Sequence, residues 1–235
     1  MNREGQAMIE GKRVLAVVPP RAGSERLPGK NVRSMAGRPM VEWTLRAGLE
    51  AVTIDRLVVS TDDPAVAGLA RAMEIEVIDR PDYLAGPTAS VIDAVDHALE
   101  TVGGVWDYVV LLQPTSPLRT AADIDGAVAL CQARGAPAVI GVSTLPKPPG
   151  FYGRVDGAGL YSKSEATPEE AVVINGAVYV GRPDRLRIDR SFQTEGTLAW
   201  VMSPERGWDV DTLFEFTMAE ALMAGGTRGS GLMTP

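Results

Sequence analysis

Val17 to Asn31, VVPPRAGSERLPGKN, decides how the rest of the chain is read. The apolar run from Val14 to Val18 has the character of a buried β-strand, and it stops at Pro19-Pro20. The loop that follows holds Gly23, Gly29, Arg21, Arg26 and Lys30. Glycine permits close backbone approach and positive φ, so such a loop can turn N–H groups toward an anion. Arg and Lys add the charge that phosphate oxygens attract. A strand, a glycine-bearing basic loop and then a helix is how α/β proteins hold nucleotide phosphates. A solvated basic surface loop would use the same residues. The P-loop pattern is excluded, because Gly23 and Gly29 stand too far apart and Lys30 is followed by Asn31 rather than Ser or Thr. The dinucleotide pattern G-x-G-x-x-G is absent too.

Working outward, apolar segments alternate between strand and helix character. Pro39 to Val52 has helical spacing, and Leu57–Thr61 reads as the next strand. Asp63-Pro64 opens a second helix, with Asp as cap and Pro in the first turn. Ile75–Ile78 is a third strand, and Thr88 or Ser90 caps a helix ending at Gly103-Gly104. Tyr108–Leu112 is continuously apolar, as expected of the sheet centre, and Ala138–Val142 follows a helix that begins at Thr120–Asp123. This βαβαβαβαβ order favours an α/β fold with a mostly parallel sheet. From Leu145 to Ala171 the chain is rich in Pro, Gly and charge, and FYGRV and GLYS suggest a hairpin excursion, read as a dimerisation arm. The core resumes at Val172–Val180 and Leu198–Met202, and a helix from about Thr212 closes it. The expected organisation is a flexible lead-in over 1–13, one domain over 14–225 and a flexible tail over 226–235.

The 235 residues suffice for one large α/β domain, burying roughly 70% of the extended chain's surface on folding. A net charge of −7 argues against wide nucleic-acid binding, which depends on phosphate neutralisation. Cys131 is the only cysteine and reads as a small buried helix residue; His97 is the only histidine, on a solvated helix face. Cys/His metal clusters and Ser-His-Asp catalysis are therefore disfavoured. No apolar run reaches membrane-spanning length, so a cytoplasmic protein without membrane contact is expected.

Ligands of open α/β sheets sit outside the carboxyl ends of the strands, where four stretches would gather. The first is the basic loop. In the second, Gln113-Pro-Thr-Ser-Pro-Leu-Arg119, the prolines fix the backbone while Gln113, Thr115, Ser116 and Arg119 offer donors for a base, ribose or sugar. A tight strand-to-helix turn would have the same composition. The third, Trp208-Asp209-Val210-Asp211, places both carboxylates on one side of an extended segment. Magnesium is commonly held by one or two carboxylates plus substrate phosphates, although Asp211 could also cap the last helix. The fourth is Arg80-Pro81 through Thr88-Ala89-Ser90, a loop entering a helix. Position and charge, rather than a histidine base, suit a phosphoryl-type transfer.

PRAGSERLPGKN resembles the opening motif of the acylneuraminate cytidylyltransferases, the CMP-sialic acid synthetases and their relatives, whose usual form is close to PARGGSKRIPGKN. RPDYLAGPTAS, QPTSPLR, NGAVY and WDVDT resemble later blocks of that family in the same order. The resemblance implies a Rossmann-like nucleotide-diphospho-sugar transferase fold and a homodimer. It also implies CTP, Mg²⁺ and a keto sugar acid as reactants, with the anomeric hydroxyl attacking the α-phosphate and pyrophosphate leaving. On that resemblance Arg21, Lys30 and Asp211 are catalytic. Ala22, Gly23, Asn31, Arg80, Ala89 and Ser90 bind nucleotide, Gln113, Ser116 and Asn175 contact sugar, and Asp209 and Asp211 hold the metal. Pro20 stands where the family usually has Ala, and Glu25 where it often has Lys. Before NGAVY the family carries an Arg-Arg-Gln-type motif, whereas this chain reads KSEATPEEAVVI. A 3-deoxy-manno-octulosonate-type or other nucleotide-sugar synthetase, and a silent nucleotide-binding protein, are the alternatives.

Overall fold

The computed structural model describes residues 11–24, 26–86, 88–148, 151–155, 157–163 and 171–226. Strand β1 (Val14–Val18) is buried throughout and leads through the basic loop into a short 3-10 helix at Lys30–Val32. A two-stranded ribbon, β2 (Ser34–Met35) and β3 (Arg38–Pro39), precedes helix α1 (Met40–Glu50). Next come β4 (Arg56–Thr61), α2 (Pro64–Ala72), β5 (Glu76–Asp79) and α3 (Val91–Val102). The chain continues through β6 (Tyr108–Leu111), α4 (Ala121–Arg134) and β7 (Ala138–Thr144). After the hairpin β8 (Gly153–Val155) and β9 (Tyr161–Lys163) come β10 (Val172–Gly181), α5 (Pro183–Asp189), β11 (Leu198–Met202) and α6 (Leu213–Gly226).

The main sheet has seven strands in the order β11-β7-β10-β6-β1-β4-β5. Every pairing is parallel except the two made by β10, which runs antiparallel to β6 and β7. The continuously apolar β6 lies at the centre, as its sequence predicts. Side chains alternate across the sheet. Val14, Ala16 and Val18 pack with Val41, Leu45, Val66 and Ile124, from α1, α2 and α4. Leu15 and Val17 pack with Ile92, Val95 and Leu99 of α3 and with Leu186 of α5. Cys131 is buried on α4, and burial pushes its thiol up to about 11.

Local chemistry fixes the helix starts. Asp63 caps α2 by accepting from Ala65 N at 2.9 Å, with Pro64 in the first turn. Ser90, rather than Thr88, caps α3 through Ile92 N at 3.2 Å. Thr120 and Asp123 form a reciprocal capping box on α4.

Two elements go beyond the sequence reading. The ribbon β2–β3 and the helix α5 are too short for periodicity to reveal, and α5 buries only Leu186. β10 carries a register shift between Ile174 and Tyr179, with Gly176 inside it at φ +74°. The expected hairpin of the 145–171 excursion is present as β8–β9; residues 149–150, 156 and 164–170 lie outside the described residues, and with them most of KSEATPEEA. Of the lead-in, Lys12 and Arg13 are anchored: Lys12 Nζ lies 2.9 Å from Asp107, and the Arg13 guanidinium stacks 4.2 Å over Trp106. Residues 1–10 of the lead-in, and the tail beyond Gly226, lie outside the described residues. Among the described residues, no helix is long and apolar enough to cross a membrane.

Candidate active site

The chain segments that follow β1, β5 and β6 open one cleft of about 480 Å³. It is lined by Arg21, Arg26, Lys30, Asn31, Arg80, Ala89, Ser90, Gln113, Thr115, Asp209 and Asp211, with Pro19, Pro20, Leu84 and Gly86 among the apolar and backbone surfaces. Nine of the sequence-derived site residues thus share one wall system: Arg21, Lys30, Asn31, Arg80, Ala89, Ser90, Gln113, Asp209 and Asp211. Ala22, Gly23, Ser116 and Asn175 do not line it.

The basic loop is braced from several sides. The Arg21 guanidinium donates to the carbonyl of Gly86 at 2.9 Å, tying the loop to the segment before α3. Asn31 Nδ2 donates to the carbonyl of Arg21 at 3.0 Å, and Ala22 N donates to Asp62 at 3.0 Å. Gly29, at φ +67°, supplies the left-handed turn that starts the 3-10 helix and directs Lys30 inward. Lys30 is 9% exposed; its ammonium reaches the carbonyl of Val210 at 3.1 Å and Asp211 Oδ1 at 2.7 Å. Arg26 bonds the other Asp211 oxygen.

The acidic pair arrives from the far end of the chain. Val210 is fully buried against Leu27, Met40 and Phe216, and its N–H donates to the carbonyl of Thr115 at 2.8 Å. With Val210 turned inward, Asp209 and Asp211 both face the cleft. Asp211 is not the cap of α6. That role belongs to Thr212, whose hydroxyl and N–H bond Glu215 at 2.9 and 2.7 Å while Glu215 N returns to Thr212 Oγ1 at 3.3 Å. Glu215 also accepts from Asp211 N at 2.9 Å, fixing the backbone beneath the carboxylate. Asp209 keeps solvent contact through the open cleft, yet the surrounding walls desolvate its carboxyl and raise its pKa. A bond from Thr115 and the nearby Lys30 charge work against that rise, and Asp211 adds to it.

Arg80 is buried at the end of β5. Burial lowers its guanidinium to about 10, Asp62 raises it and Arg21 lowers it further. Its Nε and Nη2 hold Ser60, the Nε bond being 3.3 Å. Arg119, read from sequence as a possible ligand donor, points away from the cleft: it is 3% exposed, and burial lowers it to about 9. It grips the carbonyl of Gln113 at 2.8 Å and Thr44 Oγ1 at 3.1 Å, so it shapes the turn from behind. Ser116 is fully buried. Asn175 is enclosed as well, donating to Ser143 at 3.0 Å and accepting from Ala177 N at 3.0 Å. Its neighbour Gly176 backs directly on Gln113, and a Cβ there would stand 2.6 Å from Gln113 Oε1. His97 on α3 lies outside the cleft lining.

The donor set fits a magnesium ion that arrives with phosphate. Among the described residues no group of three or more His, Cys, Asp or Glu side chains could hold a metal by itself. Two oxygen-donor carboxylates beside a basic loop are what Mg²⁺ shares with substrate phosphates. Sequence reasoning passed over Arg26 as a site residue, although the loop's charge count contained it. It had no means of finding Glu215, whose role depends on the capping geometry.

A cytidylyltransferase family model matches residues 15–155. The chain is 33% identical over 224 residues to CMP-N,N'-diacetyllegionaminic acid synthase of Legionella pneumophila, covering 90% of this chain and 96% of that one. It is 27% identical over 215 residues to N-acylneuraminate cytidylyltransferase of Escherichia coli, covering 88% of this chain but only 51% of the relative, about half its length. In fold it is similar to the solved structure of CMP:2-keto-3-deoxy-manno-octonic acid synthetase complexed with CTP. The TM-score is 0.69 at 21% identity, over 92% of this chain and 100% of that one.

Proposed function

The chain belongs to the cytidylyltransferase family, and from that premise we propose that it couples CTP to the anomeric hydroxyl of a nonulosonic sugar acid, giving a CMP-sugar and pyrophosphate. The observation that carries this reading is the convergence of Arg21, Arg26 and Lys30 with Asp209 and Asp211 in one cleft. Similarity to a legionaminic acid synthase over nearly the full length of both chains supports the acceptor class.

The residues divide the work by position. Arg21, Arg26 and Lys30 meet the triphosphate and offset the charge that develops on the transferring phosphate. Arg80, Ala89, Ser90 and Asn31 form the nucleoside end of the cleft, and the rigid Arg80 guanidinium is held ready by Ser60. Gln113 presents the sugar-facing amide, while Ser116 and Asn175 support that wall from behind. Asp209 and Asp211 would hold Mg²⁺, which supplies Lewis-acid stabilisation of the phosphates when bound.

The enzyme acts as a homodimer in this reading, because the excursion leaves Phe151, Val155 and Tyr161 exposed on and beside the hairpin. Use of CTP suits a cytoplasmic site of action. The test is pyrophosphate release with CTP, Mg²⁺ and a panel of keto sugar acids. Release with legionaminic- or sialic-type acids is expected. Release only with UTP or GTP overturns the cytidine assignment, release only with an octulosonic acid moves the acceptor, and CTP binding without any release identifies a silent nucleotide-binding protein.

A further inference from the structure

In the free protein the Asp211 carboxylate is already spoken for. Lys30 Nζ lies 2.7 Å from Oδ1, and Arg26 Nη2 bonds Oδ2. Each oxygen therefore faces a cation, whereas among the described residues none forms an ion pair with neighbouring Asp209, which is bonded by Thr115. A carboxylate so neutralised is a poor ligand for a divalent ion, because its lone pairs are engaged and its Coulomb attraction is largely cancelled.

The same two cations line the cleft beside Arg21, where the triphosphate is placed by the reading above. A phosphate chain carries more charge than one carboxylate, and its oxygens suit the guanidinium fork. The two cations differ in freedom. Lys30 is anchored, its ammonium also held by the Val210 carbonyl at 3.1 Å. Arg26 has a side chain 68% exposed with Asp211 as its ion-pair partner, and it stands on the loop itself. Swinging Arg26 from Asp211 to a phosphate breaks no packed contact of the core.

We propose that Arg26 and Lys30 exchange Asp211 for the incoming triphosphate, so that nucleotide binding uncovers the divalent-cation site and the free protein binds the cation weakly. Arg26 then guards Asp211 until the phosphate claims its guanidinium. The proposal rests on the cleft being the nucleotide site.

The experiment separates the two ideas. Mn²⁺ is titrated into the nucleotide-free protein and followed by the electron paramagnetic resonance of the free ion. Wild type, Arg26→Ala and the Arg26→Ala/Asp211→Asn double variant are compared, with CTP binding measured separately by calorimetry in EDTA. Arg26→Ala is expected to bind Mn²⁺ about three- to fivefold tighter than wild type, the size of an exposed ion pair. The gain should vanish in the double variant, and CTP should bind Arg26→Ala more weakly. If CTP binds wild type but Arg26→Ala leaves Mn²⁺ affinity unchanged or lower, the exchange is wrong and the nucleotide reading stands. If wild type binds no CTP in EDTA, the nucleotide reading falls and the exchange falls with it.

Discussion

Two aspartates separated by one residue sit in different surroundings. Asp209 is desolvated by the cleft walls and bonded by Thr115, whereas Asp211 is set between Lys30 and Arg26 over a backbone pinned by Glu215. The alternation in WDVD made their common facing legible in the sequence. It did not settle whether Asp211 was a ligand or a cap, because both uses favour aspartate at that position. The Thr212–Glu215 box removes the cap reading by taking that role. Asp211→Asn is accordingly expected to slow pyrophosphate release about 100-fold, the scale of losing one transition-state electrostatic partner. The melting temperature should fall only by what the Lys30 and Arg26 ion pairs contribute, since no cap is lost. Initial rates over a range of Mg²⁺ concentrations, alongside a thermal melt, check both halves; an unchanged rate would show Asp211 to be idle.

At the scale of elements, periodicity revealed long segments and missed short or directional ones. β1, β4, β6 and the four helices α1 to α4 were readable because each repeats its apolar pattern over whole turns or pleats. The antiparallel sense of β10 was not, because alternation is the same whichever way a strand runs. The bulge inside it was hidden in NGAVY, where Gly176 looks like any glycine until its φ of +74° and its contact with Gln113 are seen. Gly176→Ala therefore meets both backbone strain and a clash. It is expected to cost about 1–2 kcal/mol in denaturant unfolding, from the left-handed conformation alone. KM for the sugar acid should rise as Gln113 is displaced.

Helix α1 carries a pH-sensitive clamp. Glu42 accepts from Arg38 at 3.0 Å and from Arg46 at 2.8 Å, each one turn away. Burial pushes its carboxyl up, but the two guanidinium bonds outweigh that and the folded pKa is lowered. The stabilisation is thus fully present above the unfolded carboxylate value of about 4.3 and is lost as pH falls through the lower folded value. Urea unfolding of wild type and Glu42→Gln should differ at pH 7, and the gap should narrow as pH falls below about 4.3. A gap that stays constant would assign the stability to packing instead.

For the molecule as a whole, the sheet order and both core layers follow from the alternating pattern, while quaternary structure does not. An acidic, Pro- and Gly-rich excursion signals departure from the sheet without saying what it meets. Phe151 and Tyr161 on that excursion are 74% and 63% exposed, more than solvent favours for aromatic rings. Tyr161→Asp combined with Phe151→Asp should convert a dimer to a monomer in sedimentation equilibrium, leaving the circular dichroism spectrum unchanged. Wild type that sediments as a monomer would remove the dimer from the account.

The bonds from Arg26 and Lys30 to Asp211 span 185 and 181 residues, and Val210 closes onto Thr115 across the same cleft. A chain growing from its amino end therefore makes its basic loop long before the acidic counterpart exists. Until Asp211 is made, Arg26 and Lys30 lack the carboxylate that pairs them in the finished fold. The order of manufacture sets when the loop's charges are first neutralised.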